Sequence, residues 1–339
     1  LNRDGTVELI FLKQDGCYAK TFRRTGFSKQ AVRLIKTGSL FLAHDRTKLS
    51  RYPLCIDLNN DSVPELIIPQ MHQSDIYSRN ESGYTAIHHL WLSQKFQLSG
   101  YQSPTITIPL TELVCQDFNG DSRKDLLFFS DLRLSIFINH YDIGQIQAER
   151  LIPPDFHYNM QVRYLKLSTL DHLAPLSTSI EVQDLNNDGC TDLLLVQASR
   201  AQFPSHISHI QIYMNRYGKF RALPDQILTA DNFGGEHIIR DFNRDGYMDI
   251  ATLNFDIGII QAAKFLLTKK IKSCYNIYLM QPDHTYPLKP DGRIAFHKSL
   301  TLTDLTESNL HSQSFDGDFN GDGISDFIVA PGNNRYDIY

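Results

Sequence analysis

Apolar residues in this chain come in short runs, and the runs come in pairs. Leu54-Cys-Ile is followed by Leu66-Ile-Ile, Leu113-Val-Cys by Leu126-Leu-Phe-Phe, and Ile180-Glu-Val by Leu193-Leu-Leu-Val. His237-Ile-Ile leads a fourth pair, and Phe327-Ile-Val trails a fifth. Apolar runs this short, bounded by turn residues, predict buried β-strands. Each polar segment between paired runs then predicts the tip of a hairpin. A third strand is predicted at Leu90-Trp-Leu, Ile136-Phe-Ile-Asn, Ile212-Tyr-Met-Asn and Ile277-Tyr-Leu-Met. A further extended segment follows, as at Lys219-Phe-Arg-Ala-Leu-Pro and Ala295-Phe-His-Lys-Ser-Leu. Four strands in about 60 residues match one blade of a β-propeller, whose core forms between neighbouring blades.

The polar tips repeat one pattern, Asp-x-Asn-x-Asp-(Gly/Ser)-x-x-(Asp/Glu). Positions 1, 3, 5 and 9 are Asp57, Asn59, Asp61 and Glu65 in the first full copy and Asp117, Asn119, Asp121 and Asp125 in the second. They are Asp184, Asn186, Asp188 and Asp192 in the third, Asp241, Asn243, Asp245 and Asp249 in the fourth, and Asp318, Asn320, Asp322 and Asp326 in the fifth. The chain opens inside a sixth copy, with Asn2, Asp4 and Glu8 at positions 3, 5 and 9. Successive full copies start 60, 67, 57 and 77 residues apart. Fifteen of the 30 aspartates fall in these segments, so the acids are placed by the repeat and not scattered over a solvated surface.

This spacing suits a hard cation. Ca²⁺ takes six to eight oxygen ligands at roughly 2.3–2.6 Å. A tight loop can turn the side chains at positions 1, 3, 5 and 9 inward, and position 7 can add a backbone carbonyl. Val63, Arg123, Cys190, Tyr247 and Ile324 at position 7 fit a place that makes no demand on the side chain. Position 6 needs a sharp bend, for which Gly is best suited. Gly5, Gly189, Gly246 and Gly323 meet this, whereas Ser62 and Ser122 predict strain. Mg²⁺ prefers a stricter octahedral shell, and Zn²⁺ prefers His and Cys, which hold no ligand position here. Mutual repulsion of the acids is expected to raise their pKa values until about five or six Ca²⁺ ions are bound. An EF-hand is excluded, because its twelfth position requires Glu and here holds Ile68, Phe128, Leu195, Thr252 or Val329.

Two segments interrupt the period. Residues 151–180 carry Pro153-Pro154 and a His/Tyr-rich stretch. Residues 256–274 predict an amphipathic helix, with Ile260, Ala263, Phe265, Leu266 and Leu267 before Lys269-Lys270. That helix either packs on the propeller rim or contacts a partner or membrane surface.

The segments Asp184-Leu-Asn-Asn-Asp-Gly…Asp192-Leu-Leu-Leu-Val and Asp318-Phe-Asn-Gly-Asp-Gly…Asp326-Phe-Ile-Val-Ala-Pro-Gly resemble the FG-GAP/VCBS repeat family, which includes the integrin α-subunit-type β-propeller. Ile212-Tyr-Met-Asn-Arg-Tyr-Gly-Lys-Phe220 is similar to the bacterial VCBS form. The resemblance implies an all-β propeller over residues 1–339, six or seven blades or part of a larger ring, with loop positions 1, 3, 5 and 9 as Ca²⁺ ligands.

Composition narrows the function. A net charge of −5 gives no basic excess for nucleic acid, and hydrophobic residues at 42% allow a substantial core. No apolar run reaches the ~18 residues of a membrane span. The start at Leu1 inside a repeat suggests a fragment of a longer polypeptide. The five cysteines show no metal-ligand spacing and read as buried small hydrophobes. His88-His89 and His206-Ile-Ser-His209 place their side chains on opposite strand faces and make poor chelates. No GxSxG, HExxH or phosphate loop occurs. A non-catalytic scaffold for protein or glycan partners is therefore expected, in an extracellular, surface or periplasmic setting where Ca²⁺ is abundant. A polysaccharide lyase-like enzyme with its acids in a central channel stays open, as does a spacer in a larger surface or toxin protein.

Overall fold

The computed structural model describes residues 8–13, 15–24, 26–38, 52–92, 97–99, 105–107, 111–130, 133–139, 151–159, 177–200, 206–231, 237–255, 270–299, 315–317, 326–332 and 335–338. Two compact units divide the chain, Leu1–Arg163 and Tyr164–Tyr339. Among the described residues every regular element is a strand.

The first unit opens with a sheet of β1 (Glu8–Lys13), β2 (Gly16–Arg23), β3 (Gly26–Phe27) and β4 (Val32–Ile35), in which β2 pairs with each of the others. The next sheet runs β5 (Cys55–Ile56), β6 (Glu65–Pro69), β7 (Gln73–Asn80) and β8 (Gly83–Trp91), and a small ribbon joins β9 (Gln97–Ser99) to β10 (Thr105–Thr107). The third sheet runs β11 (Glu112–Gln116), β12 (Asp125–Ser130), β13 (Arg133–Phe137) and β15 (Phe156–Asn159); β14 (Leu151–Ile152) crosses back to pair parallel with β8.

The second unit repeats the plan. One sheet is β16 (Ser177–Gln183), β17 (Asp192–Arg200), β18 (His206–Tyr213) and β19 (Gln226–Asp231). The next is β20 (His237–Arg240), β21 (Asp249–Phe255), β22 (Lys270–Tyr278) and β23 (Gly292–Ser299). A three-stranded sheet follows, of β24 (Phe315–Gly317), β25 (Asp326–Gly332) and β26 (Arg335–Ile338). In the sheets β5–β8, β11–β13 with β15, β16–β19 and β20–β23 these strands lie in space in chain order and run antiparallel, so each described motif segment joins the first strand to the second.

The second sheet is buried on both faces because it packs against the first sheet on one side and the third on the other. All five residues of β6 are buried. Leu66 and Ile68 face Cys17 and Ile35 of the first sheet, and Ile67 and Ile76 join Leu126 and Phe128 of the third. In the second unit Leu194, Val196, Ile210 and Ile212 meet Ile239, Ile250, Tyr278 and Tyr286 of the next sheet.

Several strand positions depart from the sequence reading. Leu90-Trp-Leu belongs to the end of the fourth strand; the third is the polar segment Gln73–Asn80, whose Ser74 and Asp75 are nevertheless buried. The supposed insertion 151–180 supplies β14, β15 and the start of β16. The fourth strand expected at 219–224 begins only at Gln226. Lys270 to Cys274 extend β22 instead of closing a helix, and residues 256–269 lie outside the described set.

Candidate metal centre

Four motif loops are described in full, and they share one hydrogen-bond plan. The position 6 N–H donates to Oδ2 of the position 1 aspartate at 2.6–2.9 Å, from Ser62, Ser122, Gly189 and Gly246. The position 7 N–H donates to Oδ1 of the position 5 aspartate at 2.6–3.0 Å. The position 5 N–H donates to the asparagine Oδ1 at 2.9–3.2 Å. The asparagine Nδ2 in turn donates to Oδ2 of the position 5 aspartate at 2.9–3.2 Å. Side-chain oxygens thus line the turn from inside, and short acceptors at alternate positions replace the ladder that a longer hairpin would supply.

The backbone bends to reach this plan at two places. Position 6 is left-handed in every described loop, at φ 66° for Ser62, 64° for Ser122, 86° for Gly189 and 89° for Gly246. Position 4 is left-handed as well, at Asn60, Gly120, Asn187 and Arg244, a demand the sequence reading did not recognise. A non-glycine residue there carries a penalty of roughly 1–2 kcal/mol, partly offset by the lower unfolded-state entropy it brings. Ser62→Gly and Ser122→Gly are therefore each expected to raise unfolding free energy by about 0.5–1 kcal/mol. Urea denaturation checks this, and a neutral or negative change would show that the serines are unstrained.

Position 9 has a separate task. Glu65, Asp125, Asp192 and Asp249 are 0–1% exposed, whereas the position 5 aspartates are exposed. One oxygen of each buried acid accepts the position 2 N–H, from Leu58, Phe118, Leu185 and Phe242, at 2.8–3.0 Å. In three loops the other oxygen accepts a backbone N–H just past the third strand: Asn139 to Asp125, Asn215 to Asp192 and Met280 to Asp249, at 2.7–2.9 Å. The longer Glu65 instead takes Ser78 Oγ at 3.3 Å. This acid therefore clamps the hairpin to the rest of its sheet.

Burial pushes the Asp192 carboxyl up to about 7 and Asp125 up to about 6, with the acids at positions 5 and 1 adding to the rise. Glu65 and Asp249 are raised by the same main cause. The sequence led us to expect repulsion as the source, but desolvation is the larger contribution. Asp184 at position 1 is also raised, again by burial first.

The donor set fits a hard cation. It consists of carboxylate and amide oxygens around a turn, and Oδ1 of Asp57 is buried with no hydrogen-bond partner. Among the described residues no three His, Cys, Asp or Glu side chains converge closely enough to hold a metal as they stand. The asparagine NH₂ occupies the place beside the position 5 carboxylate. Asn2, Asp4, Asp318, Asn320 and Asp322 lie outside the described residues; Glu8 opens β1, and Asp326 opens β25, where only the backbone is described.

A second recurrent acid escaped the sequence reading. Asp155, Asp225 and Asp291 stand at the entry to the fourth strand, and each accepts the N–H of a residue beyond the third, from Ile138, Met214 and Leu279 at 2.7–2.9 Å. The signal was available as Pro154-Asp155, Pro224-Asp225 and Pro290-Asp291. The described cysteines are free thiols; burial pushes Cys17 to about 11 and Cys55 and Cys115 to about 12, as expected of packing residues. His88 is buried, and His89 on the opposite face pairs with Asp75 at 2.6 Å.

Recurrent four-stranded antiparallel sheets with one acidic loop plan define an all-β repeat protein. Residues 178–252, which span two of the loops, match the family model for the FG-GAP-like repeat, and this part of the chain is an FG-GAP-type repeat. No curated protein matches the sequence. Among solved structures, a chain of the Photorhabdus luminescens Tc holotoxin pore, a TccC3 mutant, is similar at a TM-score of 0.41 and 14% identity. The alignment covers 98% of this chain and 13% of that one.

Proposed function

We propose that this chain is a Ca²⁺-stabilised scaffold of the propeller type, with the hairpin-tip loops as cation sites and the sheets as a rigid, non-catalytic support for protein or glycan partners. One observation carries the reading: four loops far apart in sequence build the same oxygen-lined turn, with a clamped acid beneath it. Within each unit, sheets of equal strand order stack face to face, which supports a radial arrangement of blades. Positions 1, 3 and 5 would hold the ion by side-chain oxygen and position 7 by its carbonyl, with position 9 completing the set. The asparagine must then present its oxygen, giving up the NH₂ donation to the position 5 acid. The ion would supply positive charge where burial and neighbouring acids disfavour carboxylate. Loops of this kind fill near millimolar Ca²⁺, which favours a location outside the cytosol.

Calorimetric titration of EDTA-stripped protein with CaCl₂, paired with thermal unfolding, tests the reading. A loop at about tenfold excess over its Kd adds about 1.4 kcal/mol. Two or three loops per unit should therefore raise Tm by about 6–17 °C. No heat and no shift at 5 mM CaCl₂ would end the proposal.

A further inference from the structure

We infer that cation binding at neighbouring loops is coupled in pairs, 57–65 with 117–125 and 184–192 with 241–249, through the backbone of the residue at loop position 2. This rests on the calcium reading above.

In the first loop of each pair, the position 2 N–H is held by that loop's own buried acid, Leu58 by Glu65 at 2.9 Å and Leu185 by Asp192 at 3.0 Å. The carbonyl of the same residue is held by the next repeat. Leu58 O accepts Asn139 Nδ2 at 2.6 Å, and Leu185 O accepts the Met248 N–H at 2.8 Å. Both donors are tied to the second loop's own acid or its neighbour. The Asn139 backbone N–H donates to Asp125 and its Nδ2 also reaches Lys124 O, while Met248 directly precedes Asp249. A continuous path therefore runs from one clamped carboxylate, through the two peptide groups that flank one residue, to the segment carrying the next. Leu58 and Leu185 are 4% and 0% exposed, so the linking residue is sheltered from water.

The second pair has another contact. Asn186 Nδ2 of the first loop lies 3.5 Å from His284 Nδ1, and the His284 ring meets Tyr247 of the second loop edge-on at 5.5 Å. The same kind of acceptor is thus engaged in both units by different donors, a side-chain amide in one and a backbone N–H in the other. An ion that fixes one loop also fixes the peptide on which its neighbour leans, so the second ion meets a site with part of its ordering already done.

The experiment follows ¹H–¹⁵N signals of Gly189 and Gly246 in the full chain during CaCl₂ titration, since both N–H groups bond to the position 1 acids. The wild type should show one shared midpoint with a Hill coefficient above 1. Stripping two negative charges from the second loop, with Asp241→Asn and Asp245→Asn together, should move the Gly189 midpoint at least about fivefold higher. A Gly189 midpoint within twofold of wild type overturns the coupling while leaving calcium binding intact. Absence of any response in the wild type overturns both. In the first unit Asn139→Ser removes the amide link and keeps every candidate ligand; Ser62 and Ser122 should then respond with separate midpoints. Persistence of a single steep transition in that variant overturns the proposed route.

Discussion

Asp192→Ala is expected to destabilise the second unit by about 3 kcal/mol or more already in EDTA, and by more in CaCl₂. The reason is the pair of backbone donors it holds, Leu185 N at 3.0 Å and Asn215 N at 2.7 Å, neither of which has water to fall back on. Each buried N–H left without an acceptor costs about 1–3 kcal/mol. Relief of an unfavourably buried charge offsets part of that sum, because Asp192 is held up to about 7 by burial. Asp192→Asn keeps one acceptor and should lose roughly half as much. Asp188→Ala in the same loop should behave differently. Asp188 is itself exposed and water can replace it at its part-buried bonds to Asn186 and Cys190, so in EDTA the loss should stay near about 1 kcal/mol and grow when Ca²⁺ is present. Urea unfolding of the three variants under both conditions separates clamp from ligand. Equal losses for Asp192→Ala and Asp188→Ala in EDTA would show that position 9 has no clamping role.

Tyr286→Ala should cost about 3–5 kcal/mol, the usual range for truncating a fully buried aromatic. Tyr286 is 2% exposed and packs in the seam between the two four-stranded sheets of the second unit. Its N–H donates to Gln226 Oε1 at 2.8 Å, its carbonyl accepts Gln226 Nε2 at 2.5 Å, and its hydroxyl donates to Met248 O at 2.7 Å. Tyr286→Phe keeps the packing and orphans the Met248 carbonyl, so about 1–2 kcal/mol is expected. Thermal unfolding ranks the pair. Should the phenylalanine variant lose as much as the alanine one, the hydroxyl bond and not the ring would dominate.

The loops and their flanking strands were legible because their constraints are local. Two apolar runs with nine or ten mostly polar residues between them can hardly pair otherwise, and β5–β6, β11–β12 and β16–β17 follow directly. The third strand of the second sheet was hidden because Gln73–Asn80 buries Ser74 and Asp75 through tertiary contacts that no run of apolar residues announces. The motif marked Asp125, Asp192 and Asp249 as acids of one kind with the rest. What sets them apart is a donor 14, 23 or 31 residues downstream, beyond any local spacing. Asn139 and Asn215 closed two of the predicted third strands, but their amide bonds to Leu58 O and Thr191 O depend on how the strands come together.

The crossing made by β14 has a mechanical corollary. Leu151 and Ile152 lie in parallel register with His89 and Leu90, and four residues after Ile152 the chain is already Phe156, paired with Ile136. Residues 153–155 are thus a short tether whose ends are sewn into different sheets. Under tension applied through the chain ends, the second and third sheets cannot be peeled apart one at a time. The stitch at β8 must rip before either yields, so that region should give way in a single abrupt event.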